Sequence, residues 1–177
     1  LLTKNDLSPF FAKKIPTHGG SIRVYSSKND LHKIDDSVKK IMEDEAEIIS
    51  LKSLHKFKND VLMSKLKLHA LLNSIKNERK RIFGISSPSR ASTLVNYVGL
   101  DQDIIECIVE IKGSHKIGKY MPGTRIPVLD ESNLYSEQPE YALLFSWHIA
   151  DELIPKLKEL GYKGKFIVPL PEPHIIE

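Results

Sequence analysis

From residue 81 onward the chain alternates short, uninterrupted apolar runs with helix-forming stretches, and this alternation leaves few folds open. RIFGIS at 81–86, IIECIVEI at 104–111, YALLFSW at 141–147 and KFIVPL at 165–170 read as strands. Between them, 89–98 and 149–160 read as helices, closed by Gly99 and Gly161. A strand that shows one face to water alternates apolar with polar residues. Continuous apolar runs imply burial on both faces, and strands separated by helices imply parallel pairing. The expected class is α/β: a small Rossmann-like parallel sheet of about four to five strands with flanking helices, preceded by a short strand and a long helical segment.

The preceding part reads differently. IPTHGGSIRVYSS at 15–27 is a turn centred on Gly19 and Gly20, followed by a strand at 21–26. Residues 35–81 hold neither Gly nor Pro and are rich in Lys, Glu, Leu and Ile, which is a helical composition. Leu54, Phe57, Val61, Leu68, Leu71, Leu72 and Ile75 share about one third of a helical wheel, while Leu62 and Leu66 lie off it, so a break near residues 50–53 is expected. His55 and His69 belong to the solvated face. The expected organisation is 1–34 as a turn and strand at a junction, 35–80 as a helical connector and 81–177 as the α/β domain.

A chain of 177 residues with 41% apolar content can bury a core. Its net charge of +3 is too small for a general nucleic-acid binder, and no apolar run approaches a membrane span. The opening LLTKNDLSPF lacks the layout of an export signal. The single cysteine, Cys107, sits in an apolar run as a packing thiol, which fits a reducing, cytoplasmic setting. Beginning at Leu1 without an initiator Met, the chain reads as a piece of something longer.

In parallel α/β sheets ligands sit beyond the carboxyl ends of the strands. Ser86, Ser87, Ser89, Arg90, Ser92 and Thr93 crowd the first such end, with Pro88 suited to a helix start. A helix N-terminus with hydroxyls and a guanidinium suits phosphate; the same residues equally suit simple N-capping. GSHKIGKYMPGTRIP at 113–127 hangs from the second strand and offers His115, Lys116, Lys119, Arg125 and the aromatic Tyr120, with Lys112 just before it. It reads either as a binding loop or as a solvated one. His18, Gly19, Gly20 and Ser21 form a glycine turn with Arg23 beside it, short of a hydrolase signature because no G-x-S-x-G elbow occurs. Neither GxGxxG nor GxxxxGK[ST] is present, and the histidines and the lone cysteine show no metal-ligand spacing.

Taken in order, IPTHGGSIRVY, GISSPSRASTLVNYVGL, KGSHKIGKYMPGTRIPV, PEYALLFSWHIADELIPKL and GKFIVPLPEPHII resemble the C-terminal domain of S-adenosylmethionine-dependent sugar C-methyltransferases. The family pattern is approximately PTHGGSLR, GYGAxxKGxTLLNY, KxGxxxPGTxIPI, PDYxLxLxWN and GGKFxxPxP. The resemblance implies a larger enzyme in which S-adenosylmethionine is held by a separate domain and none by this chain. It implies a nucleotide-linked keto-deoxysugar as substrate, methylated at a ring carbon beside its ketone. It places Ser86, Ser87, Ser89, Arg90, Thr93, Lys116, Lys119, Tyr120 and Thr124 on the substrate, and His18, Gly19, Gly20 and Arg23 at the edge facing an N-terminal S-adenosylmethionine-binding domain. It assigns this chain no catalytic residue and no metal, no nucleic-acid or membrane partner, and no activity alone. The chain departs from the pattern where GYGA and Lys-Gly become Gly84-Ile85-Ser86-Ser87 and Arg90-Ala91, where Glu110 replaces an Asp, and where His148 follows Trp147. These departures keep open an alternative, a non-enzymatic adaptor of the same fold that has lost its ligand.

Overall fold

A computed structural model describes residues 1–17, 20–28 and 31–177, which form two compact units, Leu1–Asp60 and Val61–Glu177. In the first, strands β1 (Leu7–Ile15) and β2 (Ser21–Lys28) pair antiparallel, with a register shift between Pro9 and Phe11. Pro9 cannot donate to a ladder, so a bulge there is the expected accommodation. Helix α1 (Asp36–Ile48) starts at Asp35, whose carboxylate accepts the Ser37 amide at 2.8 Å; hydrogen bonding from the Ser37 side chain, and then from its amide, holds the Asp35 carboxyl below its ordinary range. The helix is tied to β1 by the Ala12 amide donating to Ser37 Oγ at 3.2 Å and by Lys14 on Asp44 at 2.8 Å. Helix α2 (Leu51–Asn77) follows, its first turn capped by Ser50 Oγ, which accepts the Ser53 amide at 3.1 Å. The expected break in the helical segment therefore falls at residues 49–50.

The second unit is built on β3 (Ile82–Ile85), α3 (Ser89–Val98), β4 (Cys107–Glu110), β5 (Val128–Asp130), α4 (Ser132–Glu137), β6 (Tyr141–Leu144), α5 (Ala150–Glu159), β7 (Lys165–Val168) and β8 (His174–Ile176). The sheet runs β5-β4-β3-β6-β7-β8, parallel throughout except for β8, which is antiparallel to β7. Ile82, Ile108, Val128, Leu143 and Ile167 bury one face against Leu68, Leu72 and Ile75 of α2 and Val95 and Val98 of α3. Phe83, Cys107, Val109, Leu144 and Phe166 bury the other against Leu134, Ile154 and Leu157. Each such large side chain withdrawn from water contributes about 1.5–3 kcal/mol, which is why both faces of these strands are apolar.

The α/β reading holds, with additions. The sheet has six strands because β5 and β8, three residues each, join its two edges. The strand at 21–28 is half of a hairpin whose other half, β1, carries a proline and two exposed lysines. The third apolar run ends as a strand at Leu144, and Trp147–Ile149 forms a 3-10 turn. Among the described residues no helix is long and apolar enough to cross a membrane.

Candidate functional site

Strand β3 comes first in the sheet, β4 and β5 are laid on one side of it and β6 to β8 on the other, so the topological switch point lies between the carboxyl ends of β3 and β6. Two hydroxyls meet there. Ser86 Oγ and Ser146 Oγ are 2.6 Å apart, each on the first residues beyond its strand. Ser86 has φ of +60°, a left-handed conformation that costs an L-residue about 1–2 kcal/mol, and its amide donates to Val109 O at 2.9 Å. One residue into α3, the Arg90 guanidinium lies 5.7 Å from the centre of the Trp147 ring, a cation–π distance that orients it across the same edge.

On the β4 side of the turn, Ser87, Pro88, Ser89 and Ser92 face His115, Lys116, Lys119 and Tyr120 across a cleft of about 310 Å³. The first-turn amides of Ser89 and Arg90 have no internal acceptor in a helix and add a partial positive charge. The cleft wall is set by a buried carboxylate. Glu110, 8% exposed, accepts the Ser87 amide at 2.6 Å and the Lys116 ammonium at 3.1 Å on the same oxygen, and Lys116 also donates to Ser87 O at 2.6 Å. Lys116 is thus a clamp between the 113–127 segment and the turn after β3, its charge neutralised by Glu110. Arg90 and Lys119 are cations at this edge that enter no ion pair among the described residues.

The 113–127 segment is less irregular than its composition suggests. Gly118 donates to Val128 O, Val128 to Lys119 O and Met121 to Ile126 O, and Tyr120 bridges Pro127. Met121 and Ile126 are buried and pin it to the core. Its Pro122-Gly123-Thr124 turn rests on Asn96, which donates to Pro122 O at 2.9 Å and Ser92 O at 2.7 Å. Gly123 has φ of +81° and lies so close to the Asn96 amide that a Cβ would overlap it. Gly84 is a packing glycine: a Cβ there would stand 2.6 Å from Phe145 and 2.8 Å from Ile108, inside the core. No glycine cradle for an adenosyl cofactor is formed at this turn, and the residues present do not fit that group.

The substrate residues expected from the sequence divide into three. Ser87, Ser89, Lys116, Lys119 and Tyr120 line the cleft, and Ser86 and Arg90 sit at the switch point beside it. Thr93 is exposed on α3 outside the cleft lining. Thr124 Oγ1 donates to Met121 O within its own turn and lines a separate, shallower depression with Gly123, Arg125 and Asp101. Gly20 has φ of +120° and Arg23 is exposed on β2, both in the first unit; His18 and Gly19 lie outside the described residues. Sequence reasoning missed Ser146, although it stands at a strand end, and it took Glu110 only as a departure from a pattern. Among the described residues, no group of three His, Cys, Asp or Glu comes together as a metal site.

Residues 16–171 match the family profile described as the C-methyltransferase C-terminal domain. The chain is also similar to the C-methyltransferase NovU of Streptomyces niveus, 29% identical over 163 residues, which cover 90% of this chain and 39% of that protein.

Proposed function

Because the chain belongs to the C-methyltransferase C-terminal domain family, we propose that it is the substrate-holding part of a C-methyltransferase acting on a nucleotide-linked keto-deoxysugar. The observation that carries this reading is the convergence of Ser87, Ser89, Ser92, Lys119 and Tyr120 on one cleft, with Arg90 fixed over Trp147 beside it. Hydroxyls, helix amides and unneutralised cations at a strand-end edge suit a diphosphate, and Tyr120, exposed, offers a face for a ring. The match to a protein of which this chain covers 39% supports a division of labour in an enzyme of several domains.

S-Adenosylmethionine would supply the methyl group from a separate domain. The work of this chain is binding and orientation: Arg90 and Lys119 hold the diphosphate, and the hydroxyls of Ser87 and Ser89 fix its angle. A methyl transfer to carbon gains most from such positioning, since aligning two reactants removes a large entropic part of the barrier. With the methyl donor held by a separate domain, the chain alone should carry no methyl-transfer activity.

Titration calorimetry with a pyrimidine nucleoside diphosphate tests the reading. Arg90→Ala and Lys119→Ala should each weaken binding about 5- to 30-fold, as loss of a charge-assisted contact does. Thr124→Ala, in the separate depression, should leave it unchanged. Absence of binding at millimolar ligand overturns the substrate-holding role and favours the adaptor alternative.

A further inference from the structure

The turn after β3 and the 113–127 segment meet over one buried acid, and that acid decides how much positive charge the cleft offers. No carboxylate is among the described residues that line the cleft; Lys116 and Lys119 are, and Arg90 stands beside it. Behind the wall, Glu110 is 8% exposed and sets one oxygen on both the Lys116 ammonium, at 3.1 Å, and the Ser87 amide, at 2.6 Å. Lys116 gives a further donor to Ser87 O at 2.6 Å. A pair this enclosed on its acidic side is screened little by salt, so its balance is felt by whatever enters the cleft beside Lys116.

With Lys116 balanced by Glu110, Arg90 and Lys119 are the cations at this edge outside any ion pair among the described residues. A diphosphate bridged at both ends, as in a sugar nucleotide, has each phosphate singly ionised. A free nucleoside diphosphate carries about one charge more, because its terminal phosphate loses a second proton with a pKa of about 6. The cations of Arg90 and Lys119 match the bridged form one to one. The extra charge of the free form would leave water without a partner, a transfer that is costly for any ion.

Resting on the reading of this edge as a diphosphate site, we propose that Glu110 determines the class of nucleotide taken: the esterified diphosphate of a sugar nucleotide is accepted, and the free nucleoside diphosphate is disfavoured. Glu110 meets no ligand itself. It acts through the charge of Lys116 and the placement of the Ser87 turn.

Calorimetry at about pH 8 with uridine diphosphate and with its terminal methyl ester, which differ by a methyl group and an ionisation, reads the proposal out as a ratio of affinities. The wild-type chain should bind the ester at least as tightly as the free diphosphate. Glu110→Gln keeps an oxygen for the Ser87 amide and unbalances Lys116, so it should tighten the free diphosphate about 3- to 10-fold relative to the ester. Lys116→Met leaves Glu110 unbalanced and should move the ratio about as far the other way. Combining the two substitutions should bring the ratio back to the wild-type value. A clamp with a structural role alone would weaken both ligands together in each single variant and leave the ratio where it was; that result overturns the proposal, and either single variant suffices to give it should the other not fold. A wild-type chain that favours the free diphosphate overturns it as well. Binding of neither ligand by the wild-type chain sinks instead the diphosphate reading on which the proposal rests.

Discussion

The ammonium group of Lys116 lies 3.1 Å from the buried carboxylate of Glu110, and that carboxylate is bonded in turn to the amide of Ser87 at 2.6 Å. Three stretches of chain, the turn after β3, the end of β4 and the 113–127 segment, are thereby held by one acid. Lys116→Met keeps the aliphatic stem and removes the charge, leaving Glu110 with a single amide donor. The expected loss is about 1–3 kcal/mol, toward the lower end because the Lys116 side chain is 36% exposed. A lower urea midpoint at unchanged slope would register it. The same variant should bind a pyrimidine nucleoside diphosphate more weakly, because it leaves the Glu110 carboxylate as an uncompensated negative charge at the cleft wall.

Gly118 and Gly123 share φ of +81° but differ in their surroundings: a Cβ on Gly118 meets open space, whereas one on Gly123 meets Asn96. Gly118→Ala should cost only the left-handed backbone penalty of about 1–2 kcal/mol. Gly123→Ala should cost about 1 kcal/mol more, because the Asn96 amide must withdraw and its bond to Pro122 O is lost. Thermal melts of the two variants side by side give the difference. Equal destabilisation would mean that Asn96 does not support the turn.

The central strands were legible because burial on both faces leaves a run such as Ile82–Ile85 with no polar residue to confuse the period. What failed to show was short or masked by chemistry suited to an edge: β5 and β8 are three residues each, and β1 contains Pro9, Lys13 and Lys14. At the candidate site, the strand-end rule points to Ser86 and Arg90 without any coordinates. It cannot show that Ser86 meets Ser146, 60 residues away, or that Lys116 spends its charge on Glu110. Thr93 and Thr124 illustrate the reverse error: each stands near the right residues in sequence, but helix rotation in one case and an intraturn bond in the other take the side chain elsewhere.

Cys107 is buried in β4, and desolvation, with Glu106 adding a smaller effect, pushes its thiol up to about 12. The folded state therefore retains the proton that an unfolded chain releases near its ordinary value of 9.0. Stability from this group is complete below about pH 9 and declines as the pH climbs toward about 12. At pH 8 a disulfide reagent should label the native chain only as fast as it opens, and label the urea-unfolded chain at once. Rapid stoichiometric labelling of the native protein would contradict the buried placement.

Ser86 holds a left-handed conformation that glycine would adopt freely, and in return its hydroxyl reaches Ser146 at 2.6 Å. Two substitutions separate these effects. Ser86→Ala keeps the backbone penalty and loses the hydrogen bond, so it should destabilise by about 1 kcal/mol. Ser86→Gly loses the same bond but releases about 1–2 kcal/mol of backbone strain, offset by up to about 1 kcal/mol of added freedom in the unfolded chain. Glycine should therefore be tolerated at least as well as alanine at this position, the opposite of its usual rank in a structured segment. Chemical denaturation of both variants, each combined with Ser146→Ala, completes a cycle whose coupling energy isolates the hydroxyl pair. An alanine variant clearly more stable than the glycine variant would refute the strained backbone, and zero coupling with Ser146→Ala would refute the bond.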